Sequence, residues 1–437
     1  MTKKIILACS NYYPHSFGGT EVYVESHAKH LQDNGNLVYI ITSAPFEQFN
    51  EENTVYEDDN LKVCRYEHNA TIIFGLHYQK EIRSELIYSK YELNYDISFK
   101  NFIKGQPELL NLDVMHIHSF TPTIGVNLFK CILEVNQVMK VITNYHVPLS
   151  CPTGTLMRNG KLTECDIKPN LSKCLKCSLK TQKKSPYILA RTINLLKLKT
   201  NIVPAVFRAK YLINLELEAF KYLKQITSEW WCYSEGIKKV LQLNEISEKN
   251  IKMARHGVND IFLSKNKIEK DKNITIYLFS GRLVKIKGIT TLLKAWLKLP
   301  IAENKQLWLT ANTESDSEEI RALIKVALQR NDIFFIGTKT QKELVDIYAK
   351  AHFVVIPSEW YEIGPLVFHE AISQQANIIC SNLGGCKELA DYYKATSLDF
   401  DAGSAHSLAE AIIKSRYSNP TSVKIKTLEE HFQLINE

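Results

Sequence analysis

The feature that most constrains this chain is an alternation, repeated in two stretches, of short β-branched apolar runs with segments of helical periodicity. Runs of that length pack as parallel strands joined by crossover helices. In the first stretch strands are expected at Lys4–Cys9, Leu37–Thr42, Leu61–Tyr66, Val114–His118, Lys140–Thr143, Trp230–Tyr233 and Lys252–Arg255. A helix runs from near Thr20 to the Asn34-Gly35 stop. The second stretch is tighter: strands at Ile274–Ser280, Leu307–Thr310, Ile333–Ile336, Phe353–Ile356 and Ile378–Cys380 alternate with helices at Ile289–Leu297, Glu318–Gln329, Gln341–Lys350 and Leu366–Gln374. The chain therefore reads as α/β, with two Rossmann-like doubly wound parallel-sheet domains. The first covers residues 1–260, with a cysteine-rich and basic helical insertion at about 150–225; the second covers 261–415, and 416–437 form a helical tail expected to pack back on the first. Open parallel sheets bind ligands beyond the carboxyl ends of their strands, so two such lobes facing each other are expected to share one cleft.

With 45% hydrophobic and 23% charged residues, the 437-residue chain has material for real cores, which excludes a largely disordered or collagen-like protein. No apolar run reaches the roughly 20 residues that span a bilayer, and the apolar start Ile5–Ser10 is too short for a secretory signal. The expected location is the cytoplasm. The net charge of +7 is uneven: between Asp166 and Glu216 stand eleven Lys or Arg and no acid, including Lys168, Lys173, Lys184, Arg191 and Lys210. Such a run is a solvated face or a contact for anionic lipid headgroups or nucleic acid.

Ten cysteines in a reducing compartment are not expected to form disulfides. Cys9, Cys64, Cys131, Cys232 and Cys380 sit in apolar, strand-like contexts and are expected in cores. Cys151, Cys165, Cys174 and Cys177 cluster within 27 residues and have the ligand number of a closed tetrahedral zinc site. Their segment has little apolar material to order itself, which a structural metal would supply.

Three strand-to-helix loops carry the unusual chemistry. Ser280-Gly281-Arg282-Leu283-Val284-Lys285-Ile286-Lys287-Gly288 opens the first helix of the second stretch. Its glycines permit close approach, and Arg282 and Lys287 suit a diphosphate beside a helix N-terminus. After Phe353–Ile356 comes a loop holding Glu362, then Gly364, Pro365 as the expected first helical residue, Leu366, and Glu370 one turn in. The free amides there suit phosphate, and the carboxylates suit vicinal hydroxyls of a sugar. Phe17-Gly18-Gly19-Thr20-Glu21 leaves room for a ligand at a helix N-terminus in the first stretch, and Thr143-Asn144-Tyr145-His146 ends a strand of the same domain. Of His116 and His118, at most one is expected to face the ligand.

Together these residues resemble the retaining, two-lobed glycosyltransferases of the family 4 type, with the GT-B fold. The landmarks occur in order: Gly18-Gly19-Thr20-Glu21, Thr143–His146, His256-Gly257-Val258-Asn259, the Gly281–Gly288 loop, Glu362 with Glu370, and Gly384-Gly385 with Glu388. The cysteine segment after His146 resembles that of a bacterial subset. The resemblance implies that Arg282 and Lys287 hold the diphosphate of a UDP- or GDP-linked donor, with Gly281 in the same loop. It implies that Glu370 binds the ribose, that Glu362 and the backbone of Gly364, Pro365 and Leu366 hold the sugar, that Gly18 and Gly19 approach the phosphates, and that His146 touches the reacting centre. Catalysis would need no cofactor, the cations replacing a metal. The acceptor would be a sugar or lipid-linked hydroxyl, in cell-surface polysaccharide or glycolipid synthesis, with the first domain on the acceptor side and its basic insertion on the inner membrane face. The sequence departs from the pattern at Ile363-Gly364-Pro365, at Gln375 and Asn377, and at His256, which stands where Asn is usual.

Two other readings fit less of the chain. A sugar-nucleotide epimerase or hydrolase would keep the fold and change the reaction. A zinc-bearing protein binding nucleic acid through Lys168–Lys210 would use only the insertion; no nucleic-acid partner is expected.

Overall fold

The computed structural model describes residues 2–16, 18–79, 96–119, 123–136, 140–158, 162–166, 168–181, 205–263, 268–418 and 424–436. Phe17 and the central part of the basic insertion, with Lys183, Lys184, Arg191, Lys197 and Lys199, lie outside them. The chain divides into two compact units. One comprises residues 1–154, 167–232 and 239–252, the other 155–166, 233–238 and 253–437.

The first unit is built on a nine-stranded sheet of order β3-β4-β5-β2-β1-β6-β7-β8-β9. Its strands are β1 (Lys4–Ala8), β2 (Leu37–Ser43), β3 (Thr54–Glu57), β4 (Leu61–His68), β5 (Thr71–Tyr78), β6 (Val114–Ile117), β7 (Lys140–Asn144), β8 (Glu229–Cys232) and β9 (Ile251–Met253). Its helices include α1 (Gly19–Asp33), α2 (Asp96–Gly105), α3 (Val126–Asn136), α4 (Leu171–Thr181) and α5 (Ala205–Ile226); α6 (Glu235–Leu243) follows β8, with its first residues in the second unit. The central strand β1 pairs in parallel with β2 and β6, and its residues Ile6, Leu7 and Ala8 are fully buried. The strand expected at Leu61–Tyr66 forms, but its neighbour β5 escaped the sequence reading, and it is β5 that pairs in parallel with β2. β4 runs antiparallel to β5 through a turn at Asn69 and Ala70, both at positive φ. Alanine is a poor signal for that conformation, which glycine normally fills. In the insertion, α4 packs on α5 through Leu175 and Ile213, with Cys174 at the edge of the contact.

The second unit carries a six-stranded parallel sheet of order β12-β11-β10-β13-β14-β15. The strands are β10 (Thr275–Phe279), β11 (Lys305–Leu309), β12 (Ile333–Phe335), β13 (Phe353–Ile356), β14 (Asn377–Ser381) and β15 (Ser397–Phe400). They alternate with α7 (Ile289–Lys298), α8 (Glu318–Ala327), α9 (Gln341–Lys350), α10 (Leu366–Ser373), α11 (Gly385–Tyr393) and α12 (Ala405–Lys414), and α13 (Leu428–Asn436) closes the chain. Side chains alternate across the pleat, so each strand feeds two cores. Tyr277, Phe279, Leu307, Leu309, Phe353 and Val355 meet Leu292, Leu293 and Trp296 of α7 on one face. Ile276, Leu278, Val354, Ile356 and Ile378 meet Tyr348, Phe368, Ile372 and Leu389 on the other. Tyr277 and Phe353, paired in register, stack at 5.0 Å.

The closing segment joins this unit. Val258 N–H donates to Lys426 O, Leu428 N–H donates to Val258 O, and His431 Nδ1 lies 2.8 Å from Arg255 O. A Cβ on Gly257 would lie 2.1 Å from Thr427 O, so the glycine of the His256-Gly257 landmark admits this crossing strand. All six cysteines outside the cluster of four are buried, including Cys386, which the sequence left unassigned.

Candidate active site

In the second unit three loops meet around one carboxylate. The loop after β10 turns at Gly281 and ends at Gly288, which has φ +75° and would place a Cβ 1.7 Å from Pro357 O. Only glycine allows that passage. Glu359 N–H donates to Ile286 O at 2.9 Å, tying this loop to the one after β13, while buried Leu283 anchors its start. Lys287 is thereby delivered to Glu362, with Nζ 2.8 Å from Oε1. Ser358 Oγ donates to the same oxygen at 2.6 Å. The third loop, after β14, closes behind: Gly385 N–H donates to Glu362 O at 2.6 Å, and Cβ atoms on Gly384 or Gly385 would come within 3.0 Å of Glu362 backbone. The paired glycines before Glu388 therefore serve close packing. Glu362 is 5% exposed, so its charge is compensated inside the protein by Lys287 and Ser358. Trp360 lies across the cation, its ring centroid 5.1 Å from Lys287 Nζ. Arg282 is exposed, and its guanidinium makes no hydrogen bond or ion pair among the described residues.

Pro365 is the N-cap of α10 and Leu366 the first helical residue, one position later than expected. The proline's ψ of 129° is extended, so the helix begins only after it. The amides of Leu366 and Val367 have no acceptor within the helix. A Cβ on Gly364 would lie 3.0 Å from Tyr233 Cβ and 3.4 Å from His256 Cδ2, and these two rings stack at 4.0 Å. Four residues into α10, Glu370 is 8% exposed. Burial pushes its carboxyl up to about 7, partly offset by the Tyr348 hydroxyl. That hydroxyl also faces Ser280, which accepts a hydrogen bond from Thr310 Oγ1 at 3.0 Å. Glu388 has a role the sequence did not disclose: its carboxylate accepts from the N–H groups of Glu235 at 2.6 Å and Gly236 at 3.2 Å, the first amides of α6.

In the first unit, Gly18 is the N-cap of α1 and Gly19 its first residue. The space beside Gly18 holds the carboxylate of Glu21, since a Cβ there would lie 2.6 Å from Glu21 Oε2. Ser16 Oγ donates to Glu21 Oε1 at 2.7 Å, so an internal anion sits where a helix favours negative charge. His146 follows β7, and its Nε2–H donates to the carbonyl of His118. Burial lowers its pKa, keeping the imidazole neutral. His116 lies on β6 and His118 just beyond its end, and their rings stack at 4.1 Å, so the two share one side of the strand, as residues two apart do.

Among the described residues, His27, His116 and His118 form the one group of three metal-ligand atoms within 4.8 Å of one another. Asn144 shows how their protons are arranged. His116 Nε2–H donates to Asn144 Oδ1 at 2.7 Å, and Asn144 Nδ2–H donates to His118 Nδ1 at 2.9 Å. His118 then carries its proton on Nε2 and donates it to His27 Nδ1 at 3.1 Å. The nitrogens thus pair as donors and acceptors, a neutral hydrogen-bonded chain. Of the cluster of four cysteines, Cys174 and Cys177 stand one turn apart on α4, Cys151 is buried after the turn at Val147–Leu149, and Cys165 donates its N–H to Leu156 O in a short hairpin. Cys165 belongs to the second unit and the other three to the first.

Residues 260–426 match the family model described as glycosyl transferases group 1. No curated protein sequence matches the chain. Among solved structures, a sucrose-phosphate synthase from Thermosynechococcus elongatus is similar at TM-score 0.57 and 17% identity, covering 94% of this chain and 89% of that one. A glycosyltransferase from Rickettsia africae gives 0.56 and 16%, covering 94% and 88%. Anabaena HepE, solved with UDP and glucose, gives 0.56 and 15%, covering 99% and 94%. The class defined by the two parallel-sheet units is the GT-B fold. Within it, the match to glycosyl transferases group 1 falls on the second unit.

Proposed function

We propose that the protein transfers a sugar from a UDP- or GDP-linked donor to a hydroxyl of a sugar or lipid-linked acceptor with retention of anomeric configuration. The observation that carries this reading is the meeting of Lys287, Ser358 and Glu362, with Glu370 on the adjoining helix turn. Solved neighbours carry UDP and glucose in one case and UDP-2-fluoro glucose in another, which supports a nucleotide-sugar donor.

In this reading Lys287 and Arg282 bind the diphosphate, alongside the amides of Leu366 and Val367. The deprotonated Glu370 accepts the two ribose hydroxyls, while Glu362 and the backbone at Gly364 and Pro365 hold the sugar. The bond from the anomeric carbon to the β-phosphate oxygen breaks as the acceptor oxygen bonds the same face. The acceptor's proton passes to the departing phosphate oxygen. Negative charge grows on that phosphate, so fixed cations act most strongly in the transition state. His146, its Nε2 proton committed to His118, offers Nδ1 to a substrate hydroxyl. Gly18 and Gly19 receive the phosphates only if the Glu21 carboxylate swings away.

The test is nucleotide release from UDP- and GDP-sugars with and without acceptor alcohols, with the product's anomeric configuration read by NMR. Acceptor-dependent release with retention is expected. Release that ignores every acceptor marks a hydrolase, and an inverted product overturns the mechanism.

The four cysteines Cys151, Cys165, Cys174 and Cys177 would hold a structural zinc. Their thiolate chemistry fits a closed site, and two of them one helical turn apart fit half of a ligand set. One equivalent of zinc in purified protein, lost in Cys174→Ser/Cys177→Ser, is expected. No described helix is long and apolar enough to cross a membrane. The basic insertion would instead place the enzyme peripherally on the inner face of the cytoplasmic membrane, for cell-surface polysaccharide or glycolipid synthesis. Flotation with anionic but not neutral liposomes is the expected result.

A further inference from the structure

Trp360 occupies a position that neither the motif nor the proposed mechanism accounts for. Its indole face covers the Lys287 ammonium at 5.1 Å, while Glu362 holds the same ammonium at 2.8 Å. Its Nε1–H is buried with no acceptor among the described residues. An unmet buried N–H is a cost that phenylalanine would not carry. The indole ring, however, has the strongest cation-binding face of the aromatic side chains. What the position retains is therefore the face over Lys287, at the expense of an orphaned donor.

We propose that Trp360 is a positioning residue for donor binding, holding the Lys287 ammonium where it meets the diphosphate when that cation turns from Glu362 to the ligand. The inference rests on the proposed function for the identity of the ligand, but its structural half does not. A lysine released from its carboxylate partner would otherwise sample many rotamers, and fixing one long side chain costs entropy at the moment of binding. The ring removes much of that freedom beforehand. It also lies on the loop that carries Ser358 and Glu362, so the cation and its partner carboxylate are set by one segment.

The experiment is a double-mutant cycle on UDP and GDP affinity by calorimetry, with wild type, Trp360→Leu, Lys287→Ala and the double variant. Trp360→Leu is expected to weaken binding of the preferred nucleotide by about 3- to 30-fold. In the Lys287→Ala background the same change is expected to cost less than twofold, because its partner is gone. Trp360→Phe, which keeps a weaker face without the orphaned N–H, should recover most of the loss. Equal losses in both backgrounds would show an effect independent of Lys287 and overturn the proposal. A second readout needs no nucleotide: in protein reductively methylated with 13C, the Lys287 methyl resonance should lie upfield under the indole ring current and return to the ordinary lysine position in Trp360→Leu. An ordinary position in wild type overturns the proposal. Failure of wild type to bind either nucleotide, with the upfield resonance present, overturns the proposed function and leaves Trp360 holding Lys287.

Discussion

The two units solve the burial of polar groups at their strand ends in opposite ways. In the first, three histidines and Asn144 form a chain of neutral donors and acceptors, which itself desolvates no charge. In the second, a buried carboxylate is matched by an ammonium at 2.8 Å, with a hydroxyl and an aromatic face beside them. A neutral chain fixes orientation and tautomer but attracts no ion. A compensated ion pair holds a cation that an incoming anion can claim. Under the proposed function, the first unit would orient one reactant and the second would grip a charged leaving group.

The strongest way to break the charged side is through its backbone. Gly288→Ala places a methyl 1.7 Å from Pro357 O at a φ of +75°. It is expected to destabilise the second unit by about 3 kcal/mol or more, seen as an earlier denaturant midpoint, and to abolish turnover. An alanine variant of wild-type stability would mean the two loops do not touch.

Next in size is Lys287→Ala, expected to lower kcat/KM by roughly 10–150-fold. It also leaves the Glu362 carboxylate without its cation, so stability falls as well. Adding Glu362→Gln should restore stability without restoring turnover, which separates the two roles. Turnover within twofold of wild type would remove Lys287 from the site.

The neutral side is tested by acid. Burial lowers the His116 pKa to about 4, below its unfolded value, so its contribution is complete above about 6.5 and is lost as pH falls toward 4. Chemical denaturation at pH 5 should show a loss of ~2 kcal/mol relative to pH 7. His369 in the second unit, also pushed to about 4 by burial, adds a loss of the same sign. His116→Gln, measured against wild type, isolates the first unit's share; an identical acid response would show that the histidine chain stays protonatable.

Glu370 runs the other way and gives the smallest effect. Its carboxyl is raised to about 7, so the ionised form, which in the proposed function accepts ribose hydroxyls, grows as pH rises through that value. UDP or GDP affinity should therefore rise up to about tenfold between pH 6 and 8, and the slope should vanish in Glu370→Gln. A flat wild-type profile would take Glu370 out of the nucleotide site.

Much of this was legible beforehand. Five of the second unit's six strands are legible because apolar runs buried on both faces leave no competing pattern, as Tyr277–Phe279 and Phe353–Ile356 illustrate, whereas the mostly unburied β15 carries no such run. Strand β5 is not marked by the sequence because its turn uses Asn69-Ala70, and Pro365 reads as the first residue of α10 rather than its N-cap because proline's fixed φ suits both. Glu21 beside Gly18, Glu388 on the first amides of α6 and the Trp360 face on Lys287 are contacts between residues whose types are ordinary on a surface.

The order of residues by itself determined the two α/β units and the loops on which charge and glycine would gather, because periodicity and backbone freedom are local properties of the chain. Only the tertiary structure decided which carboxylate met which cation, which glycine admitted a neighbouring backbone and which histidine nitrogens kept their protons. Those outcomes depend on distances between residues as far apart as Lys287 and Glu362, or His27 and His118, and folding alone sets such distances.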